Sequence, residues 1–345
     1  MRAVVVHGAG DVRVDERPDP RPGPGEVLLA VEWGGICGSD LAYWRHGSSG
    51  TATLRHPLVL GHEFAGRVVA TGEGVDDVAP GLRATVHPAT PVGDEKLPER
   101  LAGRTNLHAQ VRYRGSAALD PHTDGGFAEL VVVRADQLRA LPDAVSTQHG
   151  ALAEPLAVAM HAVSRAGDLR GTEVLVNGCG PIGSLVVAAA KHAGAARVVA
   201  ADLSAASTAV ARRMGADDVR VLSEGDALPA DVEVAFEASG APGALGSVLR
   251  ATARGGTLVQ VGNLPGAEVR AALGDLVTRE ITWVGSYRFV DEITDAVAAM
   301  AAGLDVSPVV THTFDLDDAE KALEVAGDRS TGSSKVLLRV GGATG

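Results

Sequence analysis

Two short runs in this sequence bring together side chains that take a metal ion. They are Cys37-Gly38-Ser39-Asp40 and Gly61-His62-Glu63-Phe64-Ala65-Gly66. Thiolate, imidazole and carboxylate are the ligand types of zinc, and a catalytic zinc needs about three of them plus one open position. Cys37 and His62 are far enough apart to arrive on different loops. Glu154, in Ala153-Glu154-Pro155-Leu156-Ala157, is a further carboxylate. Singly, each has an ordinary reading: a buried thiol, a satisfied histidine, a glutamate at a helix entry. Together they point to a metal centre.

The second chemical feature is Gly178-Cys179-Gly180-Pro181-Ile182-Gly183, a G-x-G-x-x-G run between a strand and a helix. Gly178 permits the tight turn, Gly180 leaves room for a pyrophosphate, and Gly183 lets the helix pack close to the strand. Pro181 suits the first helical turn, where its missing N–H costs nothing. Ile182 sits between Pro181 and the last glycine, and Gly262 follows a later strand of the same unit. The helix N-terminus then offers free N–H groups to phosphates. Asp202 ends the next strand, where an acid bonds the adenosine ribose and repels a 2′-phosphate. NAD is therefore the expected cofactor, with NADP as the alternative.

The elements that must position these residues come in two grammars. The first 140 residues read as short strands split by Gly and Pro, as in Pro22-Gly23-Pro24-Gly25. Strands are expected over Arg2 to Val6, Glu26 to Trp33, Glu63 to Ala70 and Phe127 to Val133, with a polar, loop-rich stretch from Pro91 to Asn106. From Thr172 strands alternate with helices, which signals a parallel sheet covered on both faces. Strands over 173–176, 197–201, 233–236 and 257–261 alternate with helices over 181–193 and 243–253. A helix over 291–302 and a strand over 335–340 close the chain. The fold class is α/β, with the parallel-sheet unit inserted into a split outer domain.

Bulk properties bound the alternatives. The chain has 345 residues, 46% apolar, 21% charged and only 3% aromatic. Two domains are the natural prior for that length, with cores of Val, Leu and Ala. The net charge of -12 argues against nucleic acid or an anionic membrane as partner. No apolar run is long enough to span a bilayer, and the N-terminus lacks a signal-peptide core. Two cysteines, Cys37 and Cys179, make no disulfide framework and suit a reducing, cytoplasmic setting.

In these motifs the sequence resembles the medium-chain zinc-containing alcohol dehydrogenase family over essentially its whole length. The glutamate at 154 resembles the polyol dehydrogenase branch, where alcohol dehydrogenases place a cysteine. Similar to that branch are Gly115-Ser116-Ala117, Pro121-His122-Thr123-Asp124-Gly125-Gly126-Phe127 and Gly285-Ser286-Tyr287-Arg288-Phe289. The resemblance implies a GroES-like β-rich catalytic domain over 1–150, a Rossmann domain over 151–285 and a return to the catalytic domain over 286–345. It implies one catalytic Zn2+ on Cys37 and His62 with Glu63 or Glu154, and hydride transfer to NAD(P). A small polyol or sugar acid is the expected substrate, L-idonate foremost, with sorbitol, xylitol, butanediol and threonine as alternatives. A homodimer or homotetramer follows by the same analogy, as does a subunit edge at 281–285.

Two departures from the family pattern matter. The four cysteines of a structural zinc lobe are replaced by Val92, Glu95, Pro98 and about Asn106, so no structural zinc is expected. Ala42 stands where many relatives carry a proton-relay histidine, leaving Ser39 to carry the proton, with His46 a remote substitute. Tyr43 is expected to bond a substrate hydroxyl. Arg288 is the expected partner of a sugar-acid carboxylate, ahead of Arg114 and His122.

Overall fold

The computed structural model describes residues 1–341, and it divides into two compact units. The first comprises Met1–Glu154, Ile293–Gly303 and the described chain from Val310. The second comprises Pro155–Glu292 and Leu304–Val309. The chain thus re-enters the first unit at Ile293, then visits the second once more.

In the first unit, β1 (Arg2–Gly8) and β2 (Asp11–Glu16) form an antiparallel hairpin. β3 (Glu26–Gly35) is the spine of a seven-stranded sheet. It leads through Ile36 and Cys37 into helix α1 (Gly38–His46). β4 (Glu63–Thr71), β5 (Arg83–Val86), β6 (Leu130–Arg134) and β7 (Leu138–Ala140) follow. β3 pairs with β4 on one side, and β6 also pairs antiparallel with β3. Val27, Leu29 and Val31 alternate inward along β3, the period expected of a sheet with one buried face. Phe127, expected to begin a strand, lies before β6. Its backbone instead bonds Val4 and Leu60, and its fully buried ring fills the space left by Gly34 and Gly61.

Helix α2 (Ala153–Ala166) carries Glu154 in its first turn. The second unit then runs β8 (Glu173–Asn177), α3 (Pro181–His192), β9 (Arg197–Asp202), α4 (Ala205–Arg213), β10 (Asp218–Val221), β11 (Val232–Glu237), α5 (Leu245–Ala251), β12 (Thr252–Gln260) and β13 (Thr282–Gly285). The sheet is all parallel, in the order β10-β9-β8-β11-β12-β13. Its central strands read as continuous apolar runs because helices cover both faces. α3 is buried without interruption from Gly183 to Ala190, and its small side chains let it lie close to the sheet.

The chain closes with α6 (Glu292–Ala301), β14 (Val310–Asp315), α7 (Ala319–Gly327) and β15 (Lys335–Arg339). β15 pairs antiparallel with β3, setting Leu337 opposite Gly35 and Leu338 opposite Gly34. The last strand is therefore built against the loop that carries Cys37. No helix among the described residues is long and apolar enough to cross a membrane.

Candidate metal and cofactor sites

Three ligand atoms converge in the first unit. One each from Cys37, His62 and Glu63 lie within 4.8 Å of one another. Cys37 caps the N-terminus of α1, while His62 and Glu63 sit at the entry to β4. Asp40 ties the two segments together. One of its carboxylate oxygens accepts the Cys37 N–H at 2.8 Å, and the other accepts the Gly61 N–H at 3.1 Å. Asp40 is wholly buried, and burial pushes its carboxyl above the usual range against the pull of His62 and the two N–H donors. This single side chain satisfies two backbone N–H groups and ties the segment bearing Cys37 to the one bearing His62.

Glu63 is 1% exposed and Lys335 is 2% exposed, and the two form a buried ion pair. Lys335 Nζ donates to Glu63 Oε1 at 2.8 Å and Oε2 at 2.7 Å, and to the Ile36 carbonyl at 3.1 Å. Burial lowers the Lys335 pKa, but Glu63, then Cys37 and Glu154, raise it further, so the net direction is up. Gly35 has no side chain because the Glu63 carboxylate occupies that space. Glu154 is also buried, and the Tyr113 hydroxyl donates to its Oε1 at 2.6 Å. Burial raises the Glu154 carboxyl and Glu63 adds to it, outweighing His62 and Tyr113. Burial opposes a charge on His62, yet Cys37, Glu154 and Asp40 hold its pKa well above the usual 6.5. A soft thiolate, an imidazole and hard carboxylates, the thiol half-buried and the rest buried, are a donor set that fits zinc. Glu154 is not one of the three mutually close ligands, but it acts on His62 directly.

The other residues expected around this cluster fall in different places. Ser39 is partly buried at the start of α1, two residues beyond Cys37. Tyr43 is 2% exposed, and its hydroxyl accepts the Ala117 N–H at 3.0 Å and meets Ser116 Oγ at 3.4 Å. It pins the 116–117 loop. His122 sits between two loops. Its Nε2 accepts the Arg55 N–H at 2.9 Å and its Nδ1 faces the Leu119 carbonyl at 3.0 Å, so both ring nitrogens brace loops. The Arg114 guanidinium donates to the Val132 carbonyl at 2.7 Å. Burial lowers its pKa, against Glu26 and Asp124.

In the stretch 91–107 no second cluster of metal ligands occurs among the described residues. Two 3-10 turns, Glu99–Leu101 and Thr105–Leu107, build it instead, with Asn106 buried. Glu95 accepts the Ala109 N–H at 2.9 Å and lies 3.4 Å from His108.

In the second unit the glycine turn has the shape a dinucleotide needs. Gly178 has φ +95°, and a Cβ there would stand 2.5 Å from the Ser239 nitrogen. A Cβ on Gly183 would strike the Gly178 carbonyl, whereas one at Gly180 would meet open space. Pro181 and Ile182 open α3, with Gly180 as its N-cap. Asp202 Oδ2 accepts the Cys179 N–H at 2.7 Å and Oδ1 accepts the Ser204 N–H at 2.8 Å. Those bonds aim the carboxylate across the turn and leave acceptor capacity on each oxygen. Gly262 donates its N–H to the Glu237 carbonyl at 2.8 Å. Arg288 has φ +52°, and its guanidinium carbon stands 4.9 Å from the Tyr287 ring centre.

Lys335, Asp40 and Tyr113 escaped the sequence reading as site residues. Asp40 lay inside the quoted Cys37 run, three residues on, which is the spacing of a capping acid. Lys335 showed only as a lysine opening an otherwise apolar strand.

Known proteins agree with this geometry. The model for the alcohol dehydrogenase GroES-like domain matches residues 23–143, and that for zinc-binding dehydrogenase matches residues 181–302. Sorbitol dehydrogenase of Gallus gallus is 38% identical over 336 residues, covering 93% of this chain and 92% of that protein. L-idonate 5-dehydrogenase (NAD(P)(+)) of Escherichia coli is 36% identical over 344 residues, covering 98% of each. The crystal structure of L-idonate 5-dehydrogenase from Escherichia coli superposes with a TM-score of 0.90 at 35% identity, over 98% of this chain and 97% of that one. A Cys–His–Glu cluster in a β-rich unit, a glycine turn in a parallel-sheet unit and these likenesses together place the chain in the zinc-containing alcohol dehydrogenase family.

Proposed function

We propose that this chain oxidises a secondary alcohol of a sugar acid, converting L-idonate to 5-keto-D-gluconate, with NAD as acceptor. The observation that carries the reading is the convergence of Cys37, His62 and Glu63 ligand atoms within 4.8 Å, with His62 and Glu63 buried. Those three hold one zinc ion, with Glu154 as the alternate carboxylate. When bound, zinc supplies a Lewis acid for the alcohol, and the nicotinamide supplies the hydride acceptor.

The chain's own residues do the rest. Asp40 fixes the spacing of Cys37 and His62, and Lys335 holds Glu63 in place through their buried ion pair. Ser39 Oγ takes the alcohol proton toward solvent, because Ala42 offers no relay. The Gly178–Gly183 turn holds the pyrophosphate, and Asp202 holds the adenosine ribose, which favours NAD over NADP. Arg288 pairs with the substrate carboxylate through two parallel bonds. The edge strand β13 joins subunits in a homodimer or homotetramer.

The likeness to sorbitol dehydrogenase supports a second reading, a neutral polyol as substrate. Arg288→Ala separates the two. If the acid is the substrate, KM for L-idonate rises by about tenfold or more while KM for sorbitol barely moves, the loss expected of a charge-assisted pair. Equal effects on both substrates count against the carboxylate assignment.

A further inference from the structure

Outside the metal cluster, one fully buried acid is left unused by the account above. It is Glu237, the last residue of β11, with 0% exposure. Its Oε1 accepts from Asn177 Nδ2 at 3.3 Å, from the Ser239 N–H at 2.9 Å and from the Ser239 hydroxyl. Its Oε2 accepts from the Gly240 N–H at 3.1 Å and from Gln260 Nε2 at 2.7 Å. Four of these five partners are N–H groups that only donate, so the group accepts throughout, as a carboxylate does. Every side-chain partner it has among the described residues is neutral.

The donors come from three turns at the carboxyl ends of the strands. Asn177 ends β8 just before Gly178, Ser239 and Gly240 follow β11, and Gln260 ends β12 just before Gly262. The turns touch one another closely. A Cβ on Gly178 would crowd Ser239, and one on Gly262 would strike Gly240. Glu237 also receives the Val261 and Gly262 N–H groups on its own carbonyl, at 2.9 and 2.8 Å. The three turns are therefore one assembly keyed to a single anion.

The sheet order reverses between β8 and β11, and a dinucleotide lies across that switch point. Asp202 marks the adenosine side and the Gly178–Gly183 turn marks the pyrophosphate. The nicotinamide half must then extend over β11, β12 and β13, the side on which Glu237 ends its strand.

We propose that Glu237 positions the cofactor crevice and biases it toward the oxidised cofactor. This rests on the dinucleotide reading above. Its carboxylate locks the three turns, and its buried negative charge attracts the cationic oxidised nicotinamide but not the neutral reduced ring. A charge paired only with dipoles in a low-dielectric interior is felt over several ångströms.

The test is calorimetric titration of the zinc-loaded full chain with NAD+ and, separately, with NADH. Glu237→Gln keeps the size of the side chain and removes the charge. It should raise the Kd for NAD+ more than that for NADH, changing their ratio by at least about threefold. Glu237→Asp keeps the charge but cannot reach all the donors, so it should weaken both forms alike. A Gln variant that weakens both forms equally, or neither, overturns the proposal. Should that variant fail to fold, Gln260→Ala loosens the same turns with the charge intact, and an unequal loss there overturns it instead. Wild-type protein that binds neither form overturns the dinucleotide reading itself, a result distinct from an unchanged ratio.

Discussion

Replacing Lys335 by Met removes the only cation that Glu63 pairs with among the described ion pairs. The partners are 2% and 1% exposed, so the stranded Glu63 carboxylate cannot be rescued by water. Both of its oxygens lose a hydrogen bond, at 2.8 and 2.7 Å, and the Ile36 carbonyl loses its donor. Breaking a buried pair from one side costs about 3–5 kcal/mol, because an uncompensated charge remains. At about 2–4 °C per kcal/mol for a unit of this size, the melting temperature of metal-stripped Lys335→Met should fall by roughly 6–20 °C. In the zinc-loaded protein the loss should shrink, since the metal's charge takes over part of the role of the ammonium. The double variant Lys335→Met with Glu63→Gln should recover much of the single variant's loss, because the stranded charge is gone. Denaturant titrations of the stripped and loaded proteins read all three. A loss below about 1 kcal/mol in the stripped single variant, the value of an exposed pair, would refute the reasoning.

Cys37→Ser should abolish turnover and zinc retention while leaving the dinucleotide affinity of the second unit within about twofold, as calorimetry checks. Asp202→Ala should improve kcat/KM with NADP relative to NAD by about tenfold or more, since the carboxylate that repels a 2′-phosphate is gone. Zinc uptake should depend on pH in a defined direction. In the metal-free chain, burial opposes the charge on His62 but Cys37, Glu154 and Asp40 outweigh it, so its pKa is raised. Zinc needs the neutral ring, so affinity should keep rising with pH beyond 7. The sign for stability is the reverse. A raised pKa stabilises the metal-free fold fully below 6.5 and loses that contribution as pH climbs through the raised value. Zinc affinity that levels off below pH 7 would count against this cluster.

Much of this molecule was legible in the chain because the relevant signals are local. The Gly178–Gly183 run announces its own turn, and the apolar runs at 174–176 and 198–201 announce buried parallel strands. Cys37, His62 and Glu63 were readable as ligand types, and the structure brings ligand atoms of all three together. What escaped was long-range. Lys335 reaches Glu63 across 272 positions of sequence, and no local pattern marks a lysine that will be buried. Tyr43 was read for a substrate hydroxyl and His122 for a substrate carboxylate, and their hydrogen bonds to loops that only the fold brings near had no local signal. Phe127 reads as strand from its apolar neighbours, yet the backbone there bonds Leu60 and Val4 to close the unit.

The most direct test couples metal analysis of the purified wild-type chain to NAD+ reduction with L-idonate, D-gluconate, sorbitol and L-threonine. The account predicts about one zinc per chain, in line with the one ligand cluster among the described residues, and NADH formation fastest with L-idonate. Protein that turns over these substrates at full rate after its zinc has been stripped would contradict it.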